Sequence, residues 1–92
     1  MIQLKKNYIT HRTGEGAVLL AVGKEANDFH KVVKLNGTAA EIVNLLAAPT
    51  TEETIVSVLA GTYHDEDRTL IASDVKEVLE TLRNLNVLDE HD

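Results

Sequence analysis

The side chains best suited to bind a metal or move a proton near neutrality are four histidines, at positions 11, 30, 64 and 91. A His-x3-His or Glu-x-x-His spacing would put two ligands on one helical face, and neither occurs. The chain has no cysteine, which excludes a zinc ribbon, an iron–sulfur site, a thiol nucleophile and a disulfide scaffold. Serine chemistry fares no better. Ser57 and Ser73 lack the Gly-x-Ser-x-Gly elbow of a nucleophile, and Ser73, followed by Asp74, reads as a helix N-cap. The carboxylate groups Glu52-Glu53 and Asp65-Glu66-Asp67 fall at capping or loop positions where acids are solvated, and no glycine pattern cradles a phosphate. The expectation is a protein that is not an enzyme, with no cofactor and no metal.

Charge is the next informative feature. The net charge is −6, but residues 1–35 carry six lysines and arginines against three acids, a balance of +3, and residues 36–92 carry three against twelve, a balance of −9. A chain so polarised can recognise a partner by electrostatic complementarity. Nucleic acid is the wrong partner for the acidic half, since affinity for phosphate depends on positive charge. Only three aromatic residues, Tyr8, Phe29 and Tyr63, are available for base stacking. No apolar run approaches the roughly 20 residues of a membrane span, and the lysines at positions 5 and 6 precede any signal-like core, so a cytoplasmic chain with no membrane partner is expected.

These residues need elements to position them, and the hydropathy pattern supplies two regimes. Leu4 to Arg12 alternates with period two, Ala17 to Val22 is a short continuous apolar run, and Phe29 to Leu35 is a further strand studded with lysine. Gly14-Glu15-Gly16 and residues 23–28 break the pattern between them. The reading is a three-stranded antiparallel meander, with strands over about 4–12, 17–22 and 29–35, whose first and third strands are edges. From Asn36 the period becomes helical. Thr38 to Glu41 and Thr50 to Glu53 read as capping boxes, Pro49 separates two helices, and Ser73 caps a third. Helices are expected over about 38–47, 51–62 and 73–85, with Asn86 in the left-handed position and Val87-Leu88 folding back. The fold class is α+β, winged helix-turn-helix-like, with one domain over 1–92 in which sheet and helices share a core.

A helix-turn-helix outline raises DNA binding as a rival function, that of a winged-helix transcription regulator. The exposed positions of the third helix, Asp74, Lys76, Glu77, Glu80, Thr81 and Arg83, hold two positive charges against three acids, which argues against it. A peptide-binding module fits better: a free strand edge offers main-chain hydrogen bonds, and nearby apolar side chains choose the residues. On the third helix Val75, Val78, Leu79 and Leu82 form a stripe wide enough to reach the core and floor a groove, with Val78 and Leu82 assigned to the core.

The run Leu35-Asn36-Gly37-Thr38-Ala39-Ala40-Glu41-Ile42, preceded by valines and followed by Thr51-Glu52-Glu53 and a Leu-x-x-Leu helix ending in Val87-Leu88, resembles the PqqD family over nearly the whole chain. The resemblance implies a recognition element for ribosomally made, post-translationally modified peptides. Such an element is a peptide chaperone in natural product biosynthesis, which holds the leader of a precursor and presents it to a modifying enzyme. A radical-SAM protein is the commonest partner of that kind. It also implies that the leader lies antiparallel along the third strand, against the third helix. Carried over by position, Phe29, His30, Lys31, Val32, Val33 and Lys34 on the strand and Val75, Leu79 and Arg83 on the helix line the groove. The Leu35–Ile42 signature is expected to fix the strand-to-helix corner without touching peptide. Many relatives carry glycine where this chain has Asn86, a change that keeps the left-handed option. The chain reads as a stand-alone member, monomeric or paired as a homodimer through a free edge.

Overall fold

The computed structural model describes residues 1–14, 16–21 and 32–90. In chain order the elements are β1 (Ile2–Leu4), β2 (Tyr8–Arg12), β3 (Ala17–Ala21), β4 (Val32–Leu35), α1 (Gly37–Leu45), α2 (Glu52–Thr62), α3 (Arg68–Asn84) and β5 (Leu88–Glu90). Strands β2, β3 and β4 form the expected antiparallel meander in that spatial order. Its register pairs Tyr8 with Ala21 and Arg12 with Ala17 on one side of β3, and Ala17 with Leu35 and Leu20 with Val32 on the other. The fold is α+β, a three-stranded sheet followed by three helices.

The alternating segment expected as one strand is two. Ile2–Leu4 leaves the meander and pairs antiparallel with β5, while Ile2 also exchanges backbone bonds with Thr50 and the Leu4 amide donates to the Leu46 carbonyl at 2.8 Å. Lys5-Lys6-Asn7 interrupts the alternation with three polar residues and turns, the Tyr8 amide donating to the Lys5 carbonyl at 3.1 Å, while the strand partner of Ile2–Leu4 comes from more than 80 positions away. The C-terminal tail becomes strand for the same reason.

Each helix begins at a cap one or more residues away from the one expected. Asn36, not Thr38, caps α1, its side-chain oxygen accepting from the Ala39 amide at 3.1 Å. Thr51 caps α2, accepting from the Thr54 amide, so the Thr50-to-Glu53 box does not form. Asp67 caps α3 and accepts from the Thr69 amide at 2.8 Å, which starts that helix five residues before Ser73 and leaves Ser73 an exposed residue inside it. Asparagine and aspartate cap at least as well as threonine and serine; Asn36 lies two residues before Thr38, and Asp67 six before Ser73.

The C-terminus of α3 closes as the sequence indicates. Asn86 has φ 60°, its amide donates to the Arg83 carbonyl, and the Val87 amide reaches the Leu82 carbonyl. That pair of bonds is a Schellman closure, and it turns Val87 and Leu88 back into the core. The core lies between the sheet and the helices: Leu19 from β3, Ile42, Val43 and Leu46 from the first helical segment, Ile55 and Leu59 from α2, and Ile71, Val75, Leu79 and Leu82 from α3. Among the described residues no polar or charged side chain is buried in it, and no helix is long and apolar enough to cross a membrane.

Candidate functional site

Strand β4 pairs with β3 along one side, and among the described residues no strand takes its other side. An edge strand offers alternate N–H and C=O groups to anything that lies alongside. Two devices hold this edge where it hands over to α1. Gly16, just before β3, sits so close to β4 that a Cβ there would overlap the Leu35 carbonyl oxygen and stand 3.3 Å from the Asn36 carbonyl carbon. Asn36 then caps α1, and the Ala40 amide donates to the Asn36 carbonyl at 2.7 Å. In the sequence Gly14-Glu15-Gly16 marks a break between strands, and glycine at a strand start is also the sign of a close backbone approach.

Beyond the corner lies a groove of about 280 Å³, lined by Asn36, Thr38 and Ala39 on one wall and Asp74, Glu77 and Val78 of α3 on the other. A smaller cavity of about 80 Å³ adjoins it through Thr38 and Asp74, with Leu59 and Ile71 beneath and Tyr63 and Glu66 at the rim. Tyr63 donates its hydroxyl to Glu41 at 2.8 Å, joining α1 to the end of α2. That hydrogen bond to a carboxylate, with burial and the charges of Glu41 and Glu66 adding to it, raises the phenol above its ordinary pKa of 10.0. Glu41 is therefore held by Tyr63 and does not close a capping box on Thr38, whose side chain is left at the groove.

The helix-side residues differ from those expected. Val75 and Leu79 are fully buried in the core and offer no surface to a groove, while Val78, assigned to the core, is half-buried and lines it. Leu82 is buried in the core as expected, so the difference lies in Val78 on one side and Val75 and Leu79 on the other. A helix turns about 100° per residue, so moving one position along it changes a core residue into a wall residue. Arg83 also falls outside the groove. At that rotation it lies roughly 140° from Val78 and 180° from Asp74 around α3. Its Nε and Nη2 donate to one Glu90 carboxylate oxygen at 3.0 and 2.8 Å, tying the helix to β5. The bond to Arg83, with its positive charge, holds the Glu90 carboxyl below the usual carboxylate range despite some desolvation. On the strand side, Val32, Val33 and Lys34 lie on β4, with Val33 registered opposite Leu19 and Lys34, exposed, opposite Val18. Phe29, His30 and Lys31 lie outside the described residues.

Among the described residues no group of three or more His, Cys, Asp or Glu side chains is placed to hold a metal ion. The geometry is that of a strand edge running into a groove. Residues 16–88 match the family described as Coenzyme PQQ synthesis protein D (PqqD). The chain belongs to the PqqD family. Three solved structures share its fold. TbiB1 in complex with the TbiA(beta) leader peptide is 20% identical with a TM-score of 0.78, covering 98% of each chain. A lasso peptide synthetase B1 complexed with the leader peptide is 21% identical with a TM-score of 0.73, covering 97% of this chain and 98% of that one. The solution structure of the PqqD truncation of Methylobacterium extorquens PqqCD is described as a functional and stand-alone recognition element for ribosomally synthesised and post-translationally modified peptides. It is 23% identical with a TM-score of 0.75, covering 97% of this chain and 88% of that one. A search of curated proteins by sequence finds no match.

Proposed function

We propose that this PqqD-family chain binds the leader segment of a ribosomally synthesised precursor peptide and presents it to a modifying enzyme, without itself catalysing a reaction. The leader adds as a strand to the open side of β4 and continues between the 36–39 corner and α3. The observation that carries this reading is the edge of β4 that no described strand covers, running directly into the groove walled by Val78, Asp74 and Glu77. Main-chain bonds to an edge strand supply affinity with little sequence demand, and the groove beside it selects side chains. The leader-bound relatives with the same fold support the assignment. The site comprises the backbone of Val32, Val33 and Lys34 with Asn36, Thr38, Ala39, Asp74, Glu77 and Val78; Val75 and Leu79 act from beneath as the packing that positions α3.

A winged-helix DNA regulator is disfavoured by α3 itself. Its exposed cations Arg68, Lys76 and Arg83 are balanced by Asp74, Glu77 and Glu80, and Arg68 and Arg83 are already held by Ser57 and Glu90, which leaves no positive surface for phosphate. The test is a proline scan of β4 read by binding of a synthetic peptide selected on the purified chain from a displayed random library. Proline removes one N–H, so substitutions at Val32, Val33 and Lys34 alternate: one parity breaks the β3 ladder and unfolds the protein, the other leaves it folded with that peptide bound several-fold more weakly. Folded proline variants that bind the peptide as tightly as the parent would remove strand addition as the mechanism.

A further inference from the structure

The groove has a chemical character of its own. Asp74 and Glu77 stand one helical turn apart on the same wall, and Glu66 stands at the rim of the adjoining cavity, so three carboxylates surround a trough with Val78, Leu59 and Ile71 as its apolar parts. Among the described residues none of the three makes a salt bridge, and the nearest cations in sequence, Arg68 and Lys76, line neither cavity. Like charges set three or four apart on a helix weaken it slightly, so helix stability does not explain the Asp74 and Glu77 pair. Three acids of this chain have structural uses: Asp67 caps α3, Glu41 holds Tyr63, and Glu90 holds Arg83. Glu66, Asp74 and Glu77 face the trough with no such use. The same helical face carries Leu70, one turn before Asp74 and 62% exposed.

We infer that the peptide taken by this groove carries a lysine or arginine beside an apolar residue, the cation set between Asp74 and Glu77 and the apolar side chain on Val78. This rests on the proposed leader-binding role and specifies its substrate class. Direction fixes the position of the cation. A peptide antiparallel to β4 has its N-terminal end over Leu35 and Asn36, where the strand meets the trough. The basic residue therefore lies just N-terminal to the segment paired with β4, and that segment spans about four residues, or roughly 13 Å of strand. The remaining acidic surface of residues 36–92 draws such a peptide in from a distance.

The experiment selects binders from a displayed library of random dodecapeptides on the purified 92-residue chain, then measures the consensus peptide by fluorescence anisotropy against the parent, an amide double variant, Arg83→Ala and the β4 proline variants. The expected consensus has Lys or Arg N-terminal to a short β-branched or apolar run. Asp74→Asn with Glu77→Gln, both exposed and isosteric, keeps the parent circular dichroism spectrum and binds about three- to tenfold more weakly, and the steep salt dependence of the parent becomes shallow. Arg83→Ala, on the far side of α3, leaves binding unchanged. Peptides that need the β4 edge by the proline criterion yet show no basic preference, or that bind the amide double variant as tightly as the parent, would overturn the charge inference and leave the leader-binding role standing. Peptides indifferent to β4 proline variants, or a library that yields no binder, would overturn both.

Discussion

The exchange of Val78 and Leu79 between wall and core can be decided by a pair of truncations. Leu79 is wholly buried among the side chains of the central cluster, so Leu79→Ala removes its full transfer energy and leaves a cavity, at a cost of about 3–5 kcal/mol. Val78 is half-buried, so Val78→Ala forfeits two methyl groups only partly withdrawn from water, at about 0.5–1 kcal/mol. A chain of 92 residues has roughly 5–14 kcal/mol of stability in all, so Leu79→Ala remains folded but marginal, and Leu79→Glu, which adds a buried charge, unfolds. In urea, with a slope of about 1.5 kcal/mol per molar, Leu79→Ala lowers the midpoint by roughly 2–3 M and Val78→Ala by well under 1 M, read by far-ultraviolet circular dichroism. Leader affinity moves the other way: Val78→Ala weakens it severalfold with the fold intact, whereas Leu79→Ala, measured below its transition, binds close to parent. If Leu79→Ala melts like the parent and loses the leader, α3 is rotated by one residue from the arrangement described and the groove wall is misassigned.

Gly16→Ala forces the start of β3 away from the Leu35 carbonyl, and we expect a loss of about 1–3 kcal/mol in urea denaturation together with weaker leader binding; an unchanged midpoint would mean the corner yields freely. Tyr63 titrates above 10.0 in the folded protein, so the stability that its bond to Glu41 contributes is complete below pH 10 and is lost as pH rises through the raised pKa. A Tyr63→Phe variant shows a flatter decline in alkaline unfolding; an identical pH profile would discount the bond. Arg83→Ala costs at most about 1 kcal/mol, because the pair with Glu90 is more than a third exposed. The lowered Glu90 pKa makes that contribution present above the ordinary carboxylate range and absent once pH falls through the folded value, so parent and variant midpoints converge in acid.

Sequence pattern alone determined the two regimes of this chain, because both are local. Alternation and an apolar run bounded by glycine specify a meander, and helical spacing with a proline at position 49 specifies separate helices. The left-handed Asn86 and the return of Val87 were also legible, since a Schellman closure depends only on neighbours. Caps were legible in kind but not in position, because three or four good capping residues crowd each helix start and only backbone angles choose among them. Tertiary structure decided the rest. Whether Ile2–Leu4 continues β2 or pairs with the C-terminal tail depends on residues at the other end of the chain. The rotation of α3 is set by how Ile71, Val75, Leu79 and Leu82 seat against α1 and α2 in the core, and that seating turns Asp74, Glu77 and Val78 toward the groove and Arg83 away from it. A periodic apolar stripe defines a helix face to within about one residue on either side, and one residue is the difference between the floor of the core and the wall of the site.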